Sequence, residues 1–309
     1  MTAFVQHLIN GLSLGSIYAL IALGYTLVYG ILRLINFAHG DLFMIAAYTA
    51  VGFAGLAGLG QFPLEGQPEV AAGLGSFLLV LGAAMLVTAL AGWVVERLAY
   101  RPLRGQARLN LLITAVGVSL LLENGAQVFF GATPRRFPYL LTESPAFTLF
   151  GADVSSLDLT VLLTTVALLL GLEWVVQKTR MGLAMRAVSH SHNIAALQGI
   201  NVDKVIAFTF ALGSALAAAA AVLYGVKYPK VDPLMGVMPG LKAFVAAVIG
   251  GIGSLRGAVV GALILGLAET LVAAYGASTW RDALAFGLLI AILLFKPAGL
   301  FGKYEPEKV

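Results

Sequence analysis

Cysteine is absent from this sequence, which excludes disulfides, thiolate metal sites and cysteine nucleophiles. Charge is scarce as well. Only 11% of the 309 residues are Asp, Glu, Lys or Arg, against roughly 25% in an ordinary soluble domain. A soluble chain of this length must cover its surface with polar side chains, whereas a protein in a bilayer presents apolar ones to lipid. With 60% hydrophobic residues, the chain reads as an integral membrane protein.

Catalytic motifs are missing too. The four histidines, His7, His39, His190 and His192, form no H-E-x-x-H pair, and there is no G-x-S-x-G and no carboxylate cluster. The reading is a protein that is not an enzyme and needs no cofactor or metal. A phosphate-binding loop G-x-x-x-x-G-K-[ST] is also lacking, so if ATP drives this protein another chain binds it. The net charge of +4 implies no nucleic-acid partner, because the basic residues fall in short turns between apolar runs and report orientation instead. The first residues carry no Lys or Arg cluster of the signal-peptide kind, so the first apolar run is expected to stay in the protein.

What the sequence has in abundance is apolar runs. A spanning helix needs about 20 such residues, each adding 1.5 Å across a hydrocarbon core near 30 Å thick. Runs at 10–32, 42–59, 70–95, 109–130, 159–176, 205–226, 240–252, 257–274 and 280–295 meet or approach that length, which predicts eight or nine membrane segments in an all-α bundle. The turn with Arg97, Arg101, Arg104 and Arg108 and the longer stretch with Lys178, Arg180, Arg186 and Lys204 belong inside by the positive-inside rule, as do Lys296, Lys303 and Lys308. The acidic loop 61–69 and the loop 131–158 then lie outside, as does the N-terminus.

Several interruptions stand out. The polar stretch 33–41, with Asn36, His39, Gly40 and Asp41, fits either a tight loop or a broken helix inside the bundle. The glycine-rich 250–257 turn joins two segments into a short hairpin, with Gly257 and Gly261 as a close-contact pair. Gly11 and Gly15 make another such pair. Each half of the chain has a small-residue helix ending in Tyr-Gly (Tyr29-Gly30, Tyr224-Gly225) and then a broken segment, a pattern that in transporters marks a pathway between repeats. Glu123, Glu173, Glu269 and Lys242 sit in or near spans, where each is a candidate for function or for pairing between helices.

The blocks I-N-F-A-H-G-D (35–41), E-R-L-A-Y-R-P-L-R (96–104), R-M-G-L-A-M-R-A-V (180–188), G-I-N-V-D-K-V-I-A-F-T-F (199–210) and K-A-F-V-A-A-V-I-G-G-I-G-S-L-R-G-A (242–258) resemble the LivH-type permeases of branched-chain amino acid ABC importers. The resemblance runs nearly end to end. It implies one transmembrane permease domain over 1–309 in the bacterial inner membrane. It also implies a second, homologous permease subunit, two cytoplasmic ATP-binding subunits, an extracytoplasmic solute-binding protein and contact with membrane lipid.

In that family a short coupling helix in the long inner loop docks on the ATPase. Here the loop is 177–204, and the helix is expected at 193–197, stopped near Gly199. Its expected coupling residues are Arg186, Asn193, Ile194, Ala195, Ala196, Leu197 and Gly199. A cap from Ser191 or Asn193 would start the helix and show Ile194 and Leu197 on one face. The family commonly carries acidic residues before the Ala-Ala, where this chain has S-H-S-H-N-I-A-A. For the substrate pathway the candidates are Asn36, His39 and Asp41, with the backbone of Gly250, Gly251 and Gly253 opposite, and Glu269. An ion-coupled carrier and a permease for urea or short amides are the competing readings.

Overall fold

The computed structural model describes residues 2–59 and 72–302. The predicted loop 61–69 and the terminal Lys303 and Lys308 lie outside the described residues. The expected all-α membrane bundle is what is found. Helices α1 (Thr2–Leu32), α2 (His39–Leu56), α3 (Leu74–Val95), α4 (Arg108–Phe130), α5 (Ser156–Lys178), α6 (Arg180–His190), α7 (His192–Leu197), α8 (Val202–Lys227), α9 (Val237–Gly250), α10 (Leu255–Tyr275) and α11 (Arg281–Phe295) follow in order. Among the described residues, seven helices are long and apolar enough to cross a membrane. The remaining two apolar ones, α2 and α9, have 18 and 14 residues.

The core is α1 against α8, α9 and α10, with α2 and α3 closing one side. α1 packs most extensively on α10 because both are glycine-notched. A β-carbon on Gly11 would fall 2.9 Å from the Leu267 backbone, and one on Gly15 would fall 2.9 Å from Ala262 O. The G-x-x-x-G pair is therefore a real crossing point, since small residues let the backbones touch. At the other end of α10, Gly250 packs on Gly257 and Gly261 at the hairpin.

Short strands lie at one end of the bundle. β1 (Arg135–Arg136) pairs with β4 (Lys230–Val231), and β2 (Pro145–Leu149) pairs with β3 (Ala152–Ser155). They mark the face reached by the start of α1 and by the ends of α4 and α8. Lys227 pairs there with Asp158 and meets Ser13 Oγ at 2.8 Å. The opposite face carries Arg97, Arg101, Arg104 and Lys204 and is the basic face of the bundle.

Candidate functional site

α1 runs from the strand face to the basic face, but the chain does not turn there into a full return helix. Residues 33–38 fold back into the bundle without regular structure, and α2 begins only at His39, whose ring lies on Gly24 and edge-on to Tyr25 at 4.7 Å. Gly24 itself meets Gly213, near mid-length of α8. The stretch 33–41 is thus a broken helix rather than a surface loop.

The second half repeats the device upside down. After α8 reaches the strand face, residues 232–236 return inward, and α9 starts at Val237 and runs toward the basic face. The two starts meet. A β-carbon on Gly40 would fall 2.7 Å from Gly236 O, and one on Gly240 would fall 2.9 Å from the Gly40 α-carbon. Two half-helix N-termini, each carrying a partial positive charge, therefore converge inside the bundle.

A cavity of about 200 Å3 opens at this junction, lined by Tyr25, Asp41, Ser119, Glu123, Val237 and Leu241 among others. Ser119 Oγ on α4 donates to Asp41 Oδ2 at 2.5 Å. Glu123 one turn further on faces the same space, so the cavity pairs two carboxylates with two positive helix ends. Behind it, buried Asn36 accepts from Tyr100 Oη at 2.6 Å. Tyr100 is delivered by a π-helical turn, Glu96–Tyr100, that ends α3; such turns recur at functional sites. Asn36 Nδ2 and His39 Nε2 are buried without a hydrogen-bond partner, a costly state that calls for a reason.

Other expected pathway residues do not join this site. Gly250, Gly251 and Gly253 close the α9–α10 hairpin at the basic end. Gly250 packs on Gly257, and Gly251 takes φ 103° against the backbone of Ala298 and Gly302. The glycines opposite Gly40 are Gly236 and Gly240 instead. Glu269 is engaged elsewhere, accepting from Lys242 Nζ at 2.6 Å and Tyr18 Oη at 3.1 Å, while Lys242 also meets Asp282 at 2.8 Å. That cluster ties α1, α9, α10 and α11 together. Glu173 pairs with Arg256 at 3.1 Å.

On the basic face the short helix α7 appears with the expected bounds to within a residue. Ser191 Oγ accepts from Ile194 N at 3.3 Å, and Gly199 ends the turn with φ 80°. Ile194 is 60% exposed and Leu197 88%, whereas Ala195 is 2% exposed and faces the bundle. Asn193 and Ala196 are exposed beside them. Arg186 points the other way, donating to Val176 O at 2.8 Å and Gln177 Oε1 at 2.9 Å, and so caps the last turn of α5. His192 Nε2 meets Ile31 O at 2.9 Å.

The chain matches the family model "Branched-chain amino acid transport system / permease component" over residues 7–293. It is 42% identical to the high-affinity branched-chain amino acid transport permease BraD of Pseudomonas aeruginosa, over 99% of this chain and 98% of BraD. It is 43% identical, with the same coverage, to the corresponding LivH of Escherichia coli. The chain belongs to this permease family. A more distant likeness, 26% identity over 94% of this chain and 85% of the relative, is to the ribose import permease RbsC of Escherichia coli.

As a member of that family the permease is a multi-pass membrane component of a transport system, with the chemistry of ATP left to other subunits. Sequence reasoning missed Ser119, Tyr100, Gly236 and Gly240 in this permease. The glycine pair had a legible signal, the same four-residue spacing as Gly11 and Gly15. Ser119 had none, because an isolated serine in an apolar helix ordinarily bonds its own backbone.

Proposed function

We propose that this chain is the translocating subunit of an ATP-driven importer of branched-chain amino acids in the bacterial inner membrane. Its partners are a second permease, two ATP-binding subunits and an extracytoplasmic solute-binding protein. The observation that carries the substrate class is the meeting of two half-helix N-termini with Asp41 and Glu123 around a small cavity. A zwitterion suits that arrangement. Its carboxylate faces the positive ends of α2 and α9, its ammonium faces Asp41 and Glu123, and its aliphatic side chain meets Val116, Leu120, Val237 and Leu241. Few strong contacts keep binding weak enough for release.

The segment 177–204 is the coupling loop in this reading, with Ile194 and Leu197 as the surface offered to an ATPase. The inward start of α2 at Asn36 and His39 carries the movement to the cavity. Carboxylates in a membrane also suit an ion-coupled carrier, and one experiment separates the two. In proteoliposomes holding the complete complex, ATP-dependent uptake of leucine, isoleucine and valine is expected, and Asp41→Asn should lower it at least about tenfold with assembly intact. Uptake of urea or ribose in their place reassigns the substrate, and uptake by this chain alone on an ion gradient replaces the ATP-driven reading.

A further inference from the structure

A groove of about 650 Å3 runs along the seam between α3 and α8 and opens on the basic face. Its walls are apolar, formed by Leu86 and Leu90 on one side and Phe208 and Ala211 on the other, and its mouth carries Arg97 and Lys204. From Leu86 on α3 to Arg97 in the π-helical turn that follows it, the chain rises about 16 Å at roughly 1.5 Å per residue, close to half of a hydrocarbon core of roughly 30 Å. The groove thus has the depth of one leaflet, with its charges at the headgroup level.

The charge at the mouth is not self-neutralised. Buried Glu96 is paired with Arg104, and Asp203 is shared by Arg101 and Arg104. Arg97 and Lys204 have no carboxylate partner among the described residues. Arg97 stacks over Trp93 with 5.2 Å to the ring centre, an arrangement that suits the membrane interface and leaves the guanidinium edge open. A soluble anion would leave the apolar walls uncovered, and a zwitterionic lipid would set its own ammonium beside the two cations.

We infer that this groove binds an anionic phospholipid of the cytoplasmic leaflet, its phosphate between Arg97 and Lys204 and one acyl chain between α3 and α8. The same turn delivers Tyr100 to Asn36, so a lipid held here steadies an element on which the central site rests.

Native mass spectrometry of the full-length chain in its complex tests this, after exchange into phosphatidylglycerol or phosphatidylcholine. Retained phosphatidylglycerol is expected to exceed phosphatidylcholine, and the double variant R97Q/K204Q should lose it roughly 30-fold, the equivalent of about 1 kcal/mol per cation. Lys230→Gln, on the strand face, should retain it. If the double variant fails to assemble, Ala211→Trp fills the trough with the cations in place and should expel the lipid equally. Equal retention of the two lipids, or no loss in either groove variant, overturns the proposal. Cross-linking of Leu90→Cys to another subunit in place of labelling by a lipid-phase reagent overturns it as well.

Discussion

His192 Nε2 lies 2.9 Å from the carbonyl oxygen of Ile31, which ties α7 to the last turn of α1. From that turn the chain passes directly inward to Asn36, His39 and Asp41. In the coupling proposed above, a push on α7 reaches the centre of the bundle through this short stretch.

His192→Leu removes the tie while leaving the exposed face of α7 intact. A hydrogen bond of this kind contributes roughly 0.5–1.5 kcal/mol, so substrate-stimulated ATP hydrolysis by the complex should fall by up to about tenfold. Basal hydrolysis and assembly should stay near wild type. Stimulation equal to wild type would show that the movement travels by another route.

Leu197 and Ala195 separate docking from folding on the same helix. Leu197→Asp places a charge on an exposed apolar side chain, and it should weaken ATPase retention on pull-down without lowering the thermal stability of the permease. Ala195→Glu puts a charge where the helix packs on the bundle, so it should lower stability by several kcal/mol. Similar behaviour of the two variants would refute the assignment of faces.

Gly236→Ala sets a methyl group into the backbone of Gly40, whereas Gly52 on α2 has open space around it. The first change should cut uptake more than about tenfold by parting the two half-helices. Gly52→Ala should be neutral or slightly stabilising, by up to about 1 kcal/mol from helix propensity. Uptake assays on vesicles with matched expression distinguish them, and a functional Gly236→Ala would mean that the contact is not needed.

Lys242 and Glu269 form a buried pair; Lys242 keeps Asp282 when Glu269 is removed, whereas removal of Lys242 takes from Glu269 the cation it is paired with. Lys242→Met should destabilise the permease by about 3–5 kcal/mol, while the double variant K242M/E269L should recover much of that loss. Thermal unfolding in detergent reads both. Stability preserved in the single variant, with uptake abolished, would return Glu269 to the transport pathway.

Legibility from sequence varied with the range of the interaction. The membrane class followed from apolar run length, although seven helices among the described residues reach spanning length where eight or nine segments were expected, and α7 followed from Ser191, the Ile194–Leu197 spacing and Gly199, all within a few residues of one another. The cap that Arg186 places on α5 was not legible, for a reason of the same kind. Nothing local distinguishes a basic residue offered to a partner from one that folds back to cap Val176 and Gln177.

Sequence alone determined that this chain lives in a bilayer, roughly where its apolar segments lie, and that no phosphate-binding loop motif is written in it, since hydrophobicity and motif spacing are properties of neighbouring residues. Only the tertiary structure decided that Gly40 meets Gly236 and Gly240 rather than Gly250, that Ser119 holds Asp41, and that Glu269 is spent on Lys242. Those choices depend on the close packing of helices far apart in the chain. In such packing a single missing β-carbon or a single bonded oxygen selects the partner.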